Sequence, residues 1–315
     1  MGFLPSYHAL HASGELKRRK DAALERLSSC QLCPRRCKVN RLAGEQGACR
    51  TGRLAVVSAH HPHFGEEAPL VGWGGSGAIF FANCNLGCVF CQNYEISHLG
   101  EGEEVSAPEL AAMMVRLGQL GCHNINLVTP SHVVAQILEA LPLAVEGGLS
   151  VPLVYNTSGY DEVETLRLLE GIVDIYMPDF KFWASESSRR FAKAGDYPEK
   201  GRQAIREMHR QVGDLVINGE GLAEHGLLVR HLVMPEGLGE IREILGFLAR
   251  DISSRTYVNV MDQYRPCGRA MDFPPLDRML RPEEYRQALA LASQAGLSRL
   301  EQRDFAAILR ALGIV

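Results

Sequence analysis

Three cysteines within eight residues are spaced closely enough in this sequence to bind a metal or a cluster together. Cys84, Cys88 and Cys91 form a C-x3-C-x2-C pattern in "FANCNLGCVFCQNYEIS", directly after the apolar run 78–83. Three thiolates in a tight loop can bind three irons of a [4Fe–4S] cluster, although such clusters normally use four cysteines. The fourth iron would then be free to bind another molecule. The alternatives are a structural zinc site completed by a distant ligand, or three unrelated buried thiols.

Four earlier cysteines form a second group with a different spacing. Cys30, Cys33, Cys37 and Cys49 are separated by two, three and eleven residues. Four thiolates can close a tetrahedral zinc site or bind an auxiliary iron–sulfur cluster. A closed site of four ligands is structural or electron-transferring rather than catalytic. Zinc is slightly favoured, because so short a segment needs a metal to fold. Four free thiols are the remaining alternative.

Length, charge and hydropathy limit the class of protein. The chain has 315 residues, 46% of them hydrophobic, which suffices for one large domain or two small ones. With a formal net charge of -4 and only two short basic runs, 16–20 and 34–38, the chain does not indicate a nucleic-acid partner. No signal segment and no membrane-spanning stretch are recognisable, so we expect a cytoplasmic protein without a membrane partner. In that compartment clustered cysteines are more typical of metal or redox chemistry than of disulfides.

From residue 77, short β-rich runs alternate with amphipathic helical patterns. This alternation predicts parallel strands joined by right-handed crossovers. Six strand–helix units are fewer than the eight of a closed barrel. We therefore expect an α/β fold, specifically a partial, open (β/α)6 barrel of parallel strands, with a doubly wound sheet as the alternative. The six runs are 78–83, 124–128, 152–156, 172–177, 227–233 and 256–260.

The rest of the chain is predicted to flank this barrel. Residues 1–76 form an N-terminal cysteine-rich segment, residues 77–275 the barrel, and residues 276–315 C-terminal helices that cover its open side. Ser106 and Glu109 predict a capping box for one barrel helix, and Ser131 is a good N-cap for the next. The first C-terminal helix should begin at Pro282, and a second should follow over residues 300–313.

Polar residues cluster where the predicted strands end, which is where ligands bind in both candidate folds. The stretches "TPSH" (129–132), "YNTSGY" (155–160), "PDFK" (178–181) and "MDQYRPCGR" (261–269) each follow a strand. Cys267 could donate a hydrogen atom to a radical intermediate, although a plain thiol is the commoner role. Glu66 and Glu67 could line the substrate mouth. Arg230 should reach the interior, whereas His231 fits a buried core position.

At these residues the chain resembles the radical S-adenosylmethionine (SAM) superfamily, whose signature is C-x3-C-x2-C with an aromatic residue, here Phe90, before the third cysteine. In closer detail it is similar to the branch named after the pyruvate formate-lyase activating enzyme. The matching stretches are "GCVFCQN", "VYNTSGY", "VDIYMPDFK" and "VRHLVMPEG", over about residues 77–265. The resemblance implies that SAM binds the open iron of a [4Fe–4S] cluster. Reductive cleavage then yields a 5′-deoxyadenosyl radical that abstracts hydrogen from a substrate.

The resemblance also implies which residues contact SAM. Asp179 and Lys181 match a D-x-K pattern at the end of the fourth strand, and their separation of two places them on one side of it. Asn156, Thr157 and Ser158 end the third strand, where the family contacts the cofactor. The alternatives are an ordinary strand-end ion pair and a polar turn.

Two stretches depart from the family pattern. The family usually ends the second strand with a "GGE" stretch, but this chain reads "LVTPSHVV". Backbone atoms of Thr129 and Pro130, or the hydroxyl of Ser131, would have to substitute. After the sixth strand many activating enzymes carry Tyr-His, and this chain has Tyr264 and Arg265. Because a guanidinium can bind a carboxylate through two hydrogen bonds, Arg265 could hold the methionine end of SAM or an acidic substrate.

The implied function is a radical SAM oxidoreductase that activates a glycyl-radical enzyme, with a flavodoxin- or ferredoxin-type reductant. One alternative keeps the SAM chemistry but applies it to a small metabolite, a peptide or RNA. The absent "GGE" stretch, Arg265 and the four-cysteine group favour that alternative. Another is a non-enzymatic iron–sulfur or zinc protein, against which the missing fourth cysteine and the polar strand ends argue.

Overall fold

The computed structural model describes residues 3–237 and 240–301, which form a mixed α/β fold around a mostly parallel sheet. The strands in this part of the chain are β1 Ala55–His63, β2 Ser76–Phe81, β3 Glu103–Val105, β4 Ile125–Val128, β5 Leu153–Thr157, β6 Ile175–Pro178, β7 Val216–Ile217, β8 Ala223–Leu232, β9 Tyr257–Met261 and β10 Arg299–Leu300.

Most of the α-helices in the described part are short, and four of them have thirteen residues or more. The α-helices are α1 Tyr7–Ala12, α2 Glu15–Glu25, α3 Ala68–Val71, α4 Ala107–Gln119, α5 Val134–Glu146, α6 Val163–Leu166, α7 Ser185–Ala192, α8 Tyr197–Val212, α9 Ile241–Phe247 and α10 Pro282–Gln294. None of these helices is both long and apolar enough to cross a bilayer.

All six predicted strands are present as β2, β4, β5, β6, β8 and β9, and they lie side by side in that order. They pair in parallel throughout, as the alternation of strands and helices predicts. The sheet is larger than six strands, however. Antiparallel β1 and β3 extend one edge, β10 adds a parallel strand at the other, and β7 pairs with β8.

The two faces of the sheet bury different kinds of side chain. One face packs against the helices and contributes Leu127, Tyr155, Tyr176 and Val229 to the main hydrophobic core. The other face, here called the inner face, carries Val154, Ile175, Met177 and Leu228, which form a smaller core with Leu70 of α3. Because side chains alternate along a strand, Asn126, Asn156, Arg230 and Asn259 also belong to the inner face. These four polar side chains therefore enter the interior from the inner face.

Two helix starts test the capping predictions. The backbone N–H of Ser106 donates to Oε2 of Glu109 at 2.7 Å, which confirms the capping box of α4. The prediction that Ser131 caps the next helix is wrong, because α5 begins only at Val134. The Ser131 hydroxyl is hydrogen-bonded elsewhere, to Thr157. At the C-terminal side, α10 begins at Pro282 as predicted.

The N-terminal segment packs directly onto the sheet and its helices. β1 pairs with β2, and Leu16, Ala23 and Leu27 of the segment belong to the main core. Whether residues 1–76, 77–275 and 276–315 are separate domains stays a prediction. Of the second covering helix predicted over 300–313, Leu300 belongs to β10 and residues 302–313 lie outside the described part.

Candidate functional site

The three-cysteine loop follows β2 directly and is held by backbone contacts on both sides. Asn83 has a left-handed backbone with φ +68° at the start of the loop. The N–H groups of Gly87 and Val89 donate to the carbonyls of Ala192 and Phe191 at the end of α7. The Phe90 ring is buried and packs edge-on against Phe182, with ring centroids 6.0 Å apart. These contacts fix the loop against the core.

The three thiols have different surroundings. The Cys84 sulfur accepts a hydrogen bond from the N–H of Leu86 at 3.3 Å, and the Cys91 sulfur lies 3.0 Å from the Ser97 hydroxyl. Burial raises the pKa of the Cys84 thiol to about 12, and it also raises that of Cys88. The ammonium of Lys181 acts against burial at both thiols. A cation bound at the loop would reverse this protonation, because a metal ion deprotonates a coordinating thiol.

Asp179 and Lys181 lie beside this loop and form an ion pair with each other. Asp179 also accepts a hydrogen bond from Nε of Arg230, at 2.7 Å. Burial alone would raise the pKa of Asp179, but Arg230 and Lys181 outweigh it and lower that pKa to about 2. Asp179 and Lys181 therefore lie on one side as their separation of two predicts, and the SAM contacts predicted for them stay predictions. Arg230 makes the arrangement a largely buried network of three charges rather than an isolated pair.

Arg230 connects this network to the inner face of the sheet. Its Nη2 donates to Oδ1 of Asn156 at 2.8 Å, and its Nη1 lies 3.4 Å from Glu66. Asn259 donates to Glu67 at 2.8 Å. Arg230 therefore reaches the interior as predicted. His231 is buried and its ring Nδ1 lies 2.7 Å from the Phe180 carbonyl oxygen, which is the satisfied core position expected for it.

Several buried polar atoms near this cluster have no hydrogen-bond partner in the described chain. They are both side-chain amide atoms of Asn126, Oε2 of Glu67 and Oγ of Ser158. Buried polar atoms are nearly always paired, so such atoms indicate a bound molecule or water. Glu66 and Glu67 lie between β1 and α3, with Glu66 within reach of Arg230 and Glu67 hydrogen-bonded to Asn259. Their predicted place at a substrate mouth stays a prediction.

Thr157 and Ser131 form a second polar group, apart from Asn156. Their hydroxyl oxygens lie 2.9 Å apart, and the Thr157 hydroxyl donates to the buried carboxylate of Asp161 at 2.6 Å. The Tyr155 hydroxyl donates to the same carboxylate at 2.9 Å. Because neighbouring residues on a strand point to opposite faces, Thr157 does not share the inner face with Asn156.

The backbone at the end of β4 is strained at Thr129. Its φ of +62° is unusual for a β-branched residue, and its N–H donates to the Asn156 carbonyl at 2.9 Å. Strained positions of this kind concentrate at functional sites, where the surrounding structure maintains them. Pro130 follows, and its carbonyl accepts from the N–H of Val133. The SAM contacts predicted for Thr129, Pro130 and Ser131 stay predictions.

The segment after β9 lies against the three-cysteine loop. The N–H of Arg269 donates to the Val89 carbonyl at 2.8 Å, and Gly268, with φ +56°, packs so closely on Tyr94 that an added Cβ would lie 2.5 Å from its ring. Cys267 is half-buried in this segment, and Arg265 is exposed. The hydrogen-donor role of Cys267 and the carboxylate-binding role of Arg265 stay predictions.

The four earlier cysteines surround one small cavity. Cys30, Cys33, Cys37 and Cys49 all line a space of about 10 Å³, together with Arg41 and His132. The loop that carries them turns back on itself, since the N–H of Cys30 donates to the Val39 carbonyl and the N–H of Lys38 to the Cys30 carbonyl. The fold thus collects the four thiols as their spacing predicts.

The two cysteine groups are neighbours in space. The side chain of Asn85, which directly follows Cys84, lies close enough to Cys33 of the other group to act against the rise that burial causes in the pKa of that thiol. Nε of Arg35 donates to the Asn85 carbonyl at 2.8 Å. Cys49 and Cys84 are close enough for their charges to interact. Residues 35 to 52 positions apart in the chain therefore lie next to one another.

All nine cysteines are free thiols, so none is used in a disulfide. Within residues 3–237 and 240–301, no three Cys, His, Asp or Glu side chains are arranged to hold a metal ion. A single zinc ion requires its sulfurs to converge at about 2.3 Å from one point, whereas an iron–sulfur cluster spreads them around a larger body. Metal binding by either cysteine group stays a prediction.

Comparison with known proteins gives one relative of substantial identity. No protein-family model matches the chain. The "Uncharacterized protein MJ0674" of Methanocaldococcus jannaschii is 34% identical over 278 residues, which is 85% of this chain and 75% of that protein. The chain belongs to the family of MJ0674. A solved structure of TYW1 with a lysine-pyruvate adduct bound aligns at a TM-score of 0.43 and 11% identity, over 69% of this chain and 73% of that one. A likeness this distant does not assign a chemistry.

Several residues of the site were not predicted from the sequence. Asn126 and Asn259 sit at alternate positions within otherwise apolar strands, a signal that was available in "NINLV" and "TYVNV". Asp161 follows the "YNTSGY" stretch directly. His132 belongs to the "TPSH" stretch (129–132) that follows a predicted strand, but no local pattern distinguishes Arg41 from a surface residue.

Proposed function

We propose that this protein is a radical SAM enzyme. Cys84, Cys88 and Cys91 would hold a [4Fe–4S] cluster, which when bound supplies the electron that cleaves SAM reductively. The observation that carries the proposal is the position of the charged pair Asp179 and Lys181, from the end of β6, against a three-thiol loop at the end of β2. A purely structural metal loop has no need of a largely buried charge network beside it.

The residues around the loop have distinct roles in this proposal. Lys181 stabilises negative charge on the thiolates, and Ser97 orients the Cys91 sulfur from 3.0 Å. Asp179 and Asn156 would contact SAM at the strand ends, and Arg230 holds both in place through hydrogen bonds of 2.7 and 2.8 Å. Because these side chains are largely buried, their charges act with little screening by water.

We further propose that the sheet is a partial (β/α)6 barrel, with β1, β3, β7 and β10 as additions. Contacts between the segment before β2 and strands at the far end of the sheet support curvature. Glu67 is hydrogen-bonded to Asn259 in β9, and the N–H of Ala68 donates to Glu301 beyond β10. Four paired strands separate β2 from β9 in the sheet order, so a flat sheet would keep these residues apart.

The candidate substrate from the resemblance is a glycyl-radical protein, as for the pyruvate formate-lyase activating enzyme, with a flavodoxin- or ferredoxin-type reductant. One observation favours a small polar molecule instead. Buried polar atoms of Asn126, Glu67 and Ser158 lack partners near the inner face, and a bound metabolite with several hydrogen-bonding groups would satisfy them.

SAM cleavage provides the test of the reaction class. The protein is purified and reconstituted without air, reduced with dithionite, given SAM, and assayed for 5′-deoxyadenosine and methionine. We expect both products from the wild type and from Cys122→Ala, which removes a core thiol away from the loop, and neither from Cys88→Ala. A correctly folded, cluster-loaded protein that forms no deoxyadenosine would favour a non-enzymatic iron–sulfur protein.

The two substrate classes are separable once SAM cleavage is established. With a glycyl-radical partner, electron paramagnetic resonance should detect a glycyl radical on the partner. With a small substrate, deuterium from a labelled candidate should appear in deoxyadenosine. Asn126→Leu should suppress deuterium transfer to deoxyadenosine much more than glycyl-radical formation, because a leucine cannot hydrogen-bond a small molecule at the inner face.

A further inference from the structure

Arg41 is a fully buried cation without an anionic partner in the described chain. It is 1% exposed, and its hydrogen bonds go to the carbonyls of Gly52 at 2.9 Å and His132 at 2.8 Å. Its Nη1 also contacts the Cys30 sulfur at 3.8 Å, and its Nη2 has no partner. A guanidinium is always charged, and a buried charge is costly unless an opposite charge accompanies it.

A neighbouring arginine has the anionic partner that is usual for a guanidinium. Arg36 lines the same cavity, but it is half exposed and its Nε donates to Glu162 at 2.9 Å. No carboxylate forms an ion pair with Arg41 within the described residues. The groups beside Arg41 that can carry negative charge are the thiols of the cavity, beginning with Cys30.

His132 is a second unsatisfied residue at the same cavity. Its Nε2 lies 3.0 Å from the Ala82 carbonyl oxygen. Because a carbonyl only accepts, Nε2 carries the proton, and in the neutral ring Nδ1 is left as a buried acceptor without a donor. Orientation by a backbone carbonyl is also how metal-site histidines are commonly held.

A glycine brings the loop into close contact with one thiol. A Cβ on Gly47 would lie 2.7 Å from both Cβ and Sγ of Cys37, so any larger residue would displace that side chain. The N–H of Ala48 donates to the same sulfur at 3.3 Å. Backbone donors of this kind stabilise thiolates in metal sites, as outer hydrogen bonds do for other ligands.

From these observations we propose that Cys30, Cys33, Cys37 and Cys49 hold a metal centre of net negative charge, and that Arg41 is its buried counter-ion. Four thiolates around a zinc ion carry a net charge of two negatives, and a [4Fe–4S] cluster in its usual state with four thiolates carries the same. Both centres therefore give Arg41 the anion it lacks. The cavity has room for about one small occupant before any side chain moves. This inference does not depend on SAM chemistry at the other loop.

The first step of the test isolates the centre. The full chain carrying C84A/C88A/C91A is purified without air and loaded in two arms, with zinc alone or with iron and sulfide. Zinc, iron and acid-labile sulfide are then counted per chain. We expect one zinc or one cluster per chain to remain, and the loading that is better retained identifies the metal. Further substitution of Cys33→Ala should abolish metal binding. A triple variant that retains neither metal overturns the proposal, whatever the outcome of SAM cleavage.

The second step tests the counter-ion in the same background. Against a competing chelator, Arg41→Met should lower the affinity for the metal by roughly 10–100-fold, the range found for outer residues of metal sites, and Arg41→Lys should lower it less. Arg53→Met is the matched control, because Arg53 belongs to the same segment but pairs with Glu139 at 2.6 Å.

In the absence of metal, Arg41→Met should stabilise the protein rather than weaken it. Without the anion, Arg41 is a buried charge without a counter-charge, so metal-free Arg41→Met should melt at a higher temperature than metal-free protein with Arg41. This comparison stands even if the loaded variant folds poorly. Equal metal affinity for Arg41→Met and its parent, or a lower melting temperature in the metal-free form, overturns the counter-ion role.

Discussion

Nε of Arg230 in β8 lies 2.7 Å from Oδ1 of Asp179, the residue that follows β6. The two residues also face each other in the sheet, because they form an isolated parallel bridge. Asp179 bonds Lys181 as well, so one carboxylate is shared by two cations. A charge network of this kind resists rearrangement, since removing any member leaves another buried charge without its partner.

Substituting Asp179 should therefore affect both folding and function. We expect Asp179→Asn to lower the free energy of unfolding by roughly 3 kcal/mol, because Arg230 and Lys181 then repel each other without the carboxylate between them. The same variant should lose most SAM cleavage. Chemical denaturation and the deoxyadenosine assay measure the two effects.

A double-mutant cycle separates the network from its parts. Arg230→Met alone should also destabilise the fold, but the combination with Asp179→Asn should cost less than the sum by about 1–3 kcal/mol, as expected for residues in direct contact. Purely additive losses would show that the two side chains do not depend on each other in solution.

The three-cysteine loop makes a prediction about iron content. Each of Cys84→Ala, Cys88→Ala and Cys91→Ala should remove about four irons and four sulfides per chain, because two thiolates rarely retain a cluster. The centre at the four earlier cysteines should be unchanged. Cys122→Ala is the control, since Cys122 is buried in the main core and should alter stability but not iron content. Retention of all the iron by any one loop variant contradicts the assignment.

Local patterns in the sequence were sufficient to predict the parallel strands and to predict which cysteines belong to each group. Each of the six strands, which are four to ten residues long, contains a short β-rich run, and each cysteine group lies within a single short segment. Strand-end polarity likewise indicated Asp179, Lys181 and Asn156. These features depend on residues near one another in the chain, where hydrophobic period and ligand spacing are informative.

Local patterns could not predict contacts between residues that are far apart in the chain. Asn85 meets Cys33, and Glu67 meets Asn259, 192 positions later. The failure of Ser131 as an N-cap has the same origin, because a contact with Thr157 of another strand replaces the local one. Tertiary hydrogen bonds outweigh a local preference worth about 1 kcal/mol.

Lys181 should influence the reduction of a cluster at the three-cysteine loop. Its side chain is only 15% exposed, and its charge acts on both Cys84 and Cys88. A nearby positive charge favours the reduced, more negative cluster, so Lys181→Met should lower the reduction potential by on the order of tens of millivolts. Potentiometric titration followed by electron paramagnetic resonance measures this shift. Lys181→Arg keeps the charge and should leave the potential nearly unchanged, whereas equal shifts in both variants would point to altered packing.

Glu66 predicts a pH dependence of stability. Burial raises the pKa of Glu66 to about 7, against the opposing effect of Arg230, from an ordinary value near 4.5. The folded protein therefore binds a proton that the unfolded chain has lost between about pH 4.5 and 7. Stability is complete below the lower value and declines as the pH rises to the upper one. The decline should be on the order of 2–3 kcal/mol.

Replacement of this carboxyl by an amide should remove the decline. Glu66→Gln resembles the protonated acid, so its free energy of unfolding should match that of the wild type near pH 5 and exceed it above pH 7. Urea denaturation from pH 5 to 8 measures the difference, with Glu104→Gln on the exposed strand β3 as a control expected to follow the wild type. If Glu66→Gln is less stable than the wild type at pH 8, the ionised carboxylate is instead stabilised by Arg230, and Glu66 is a fourth member of the charge network.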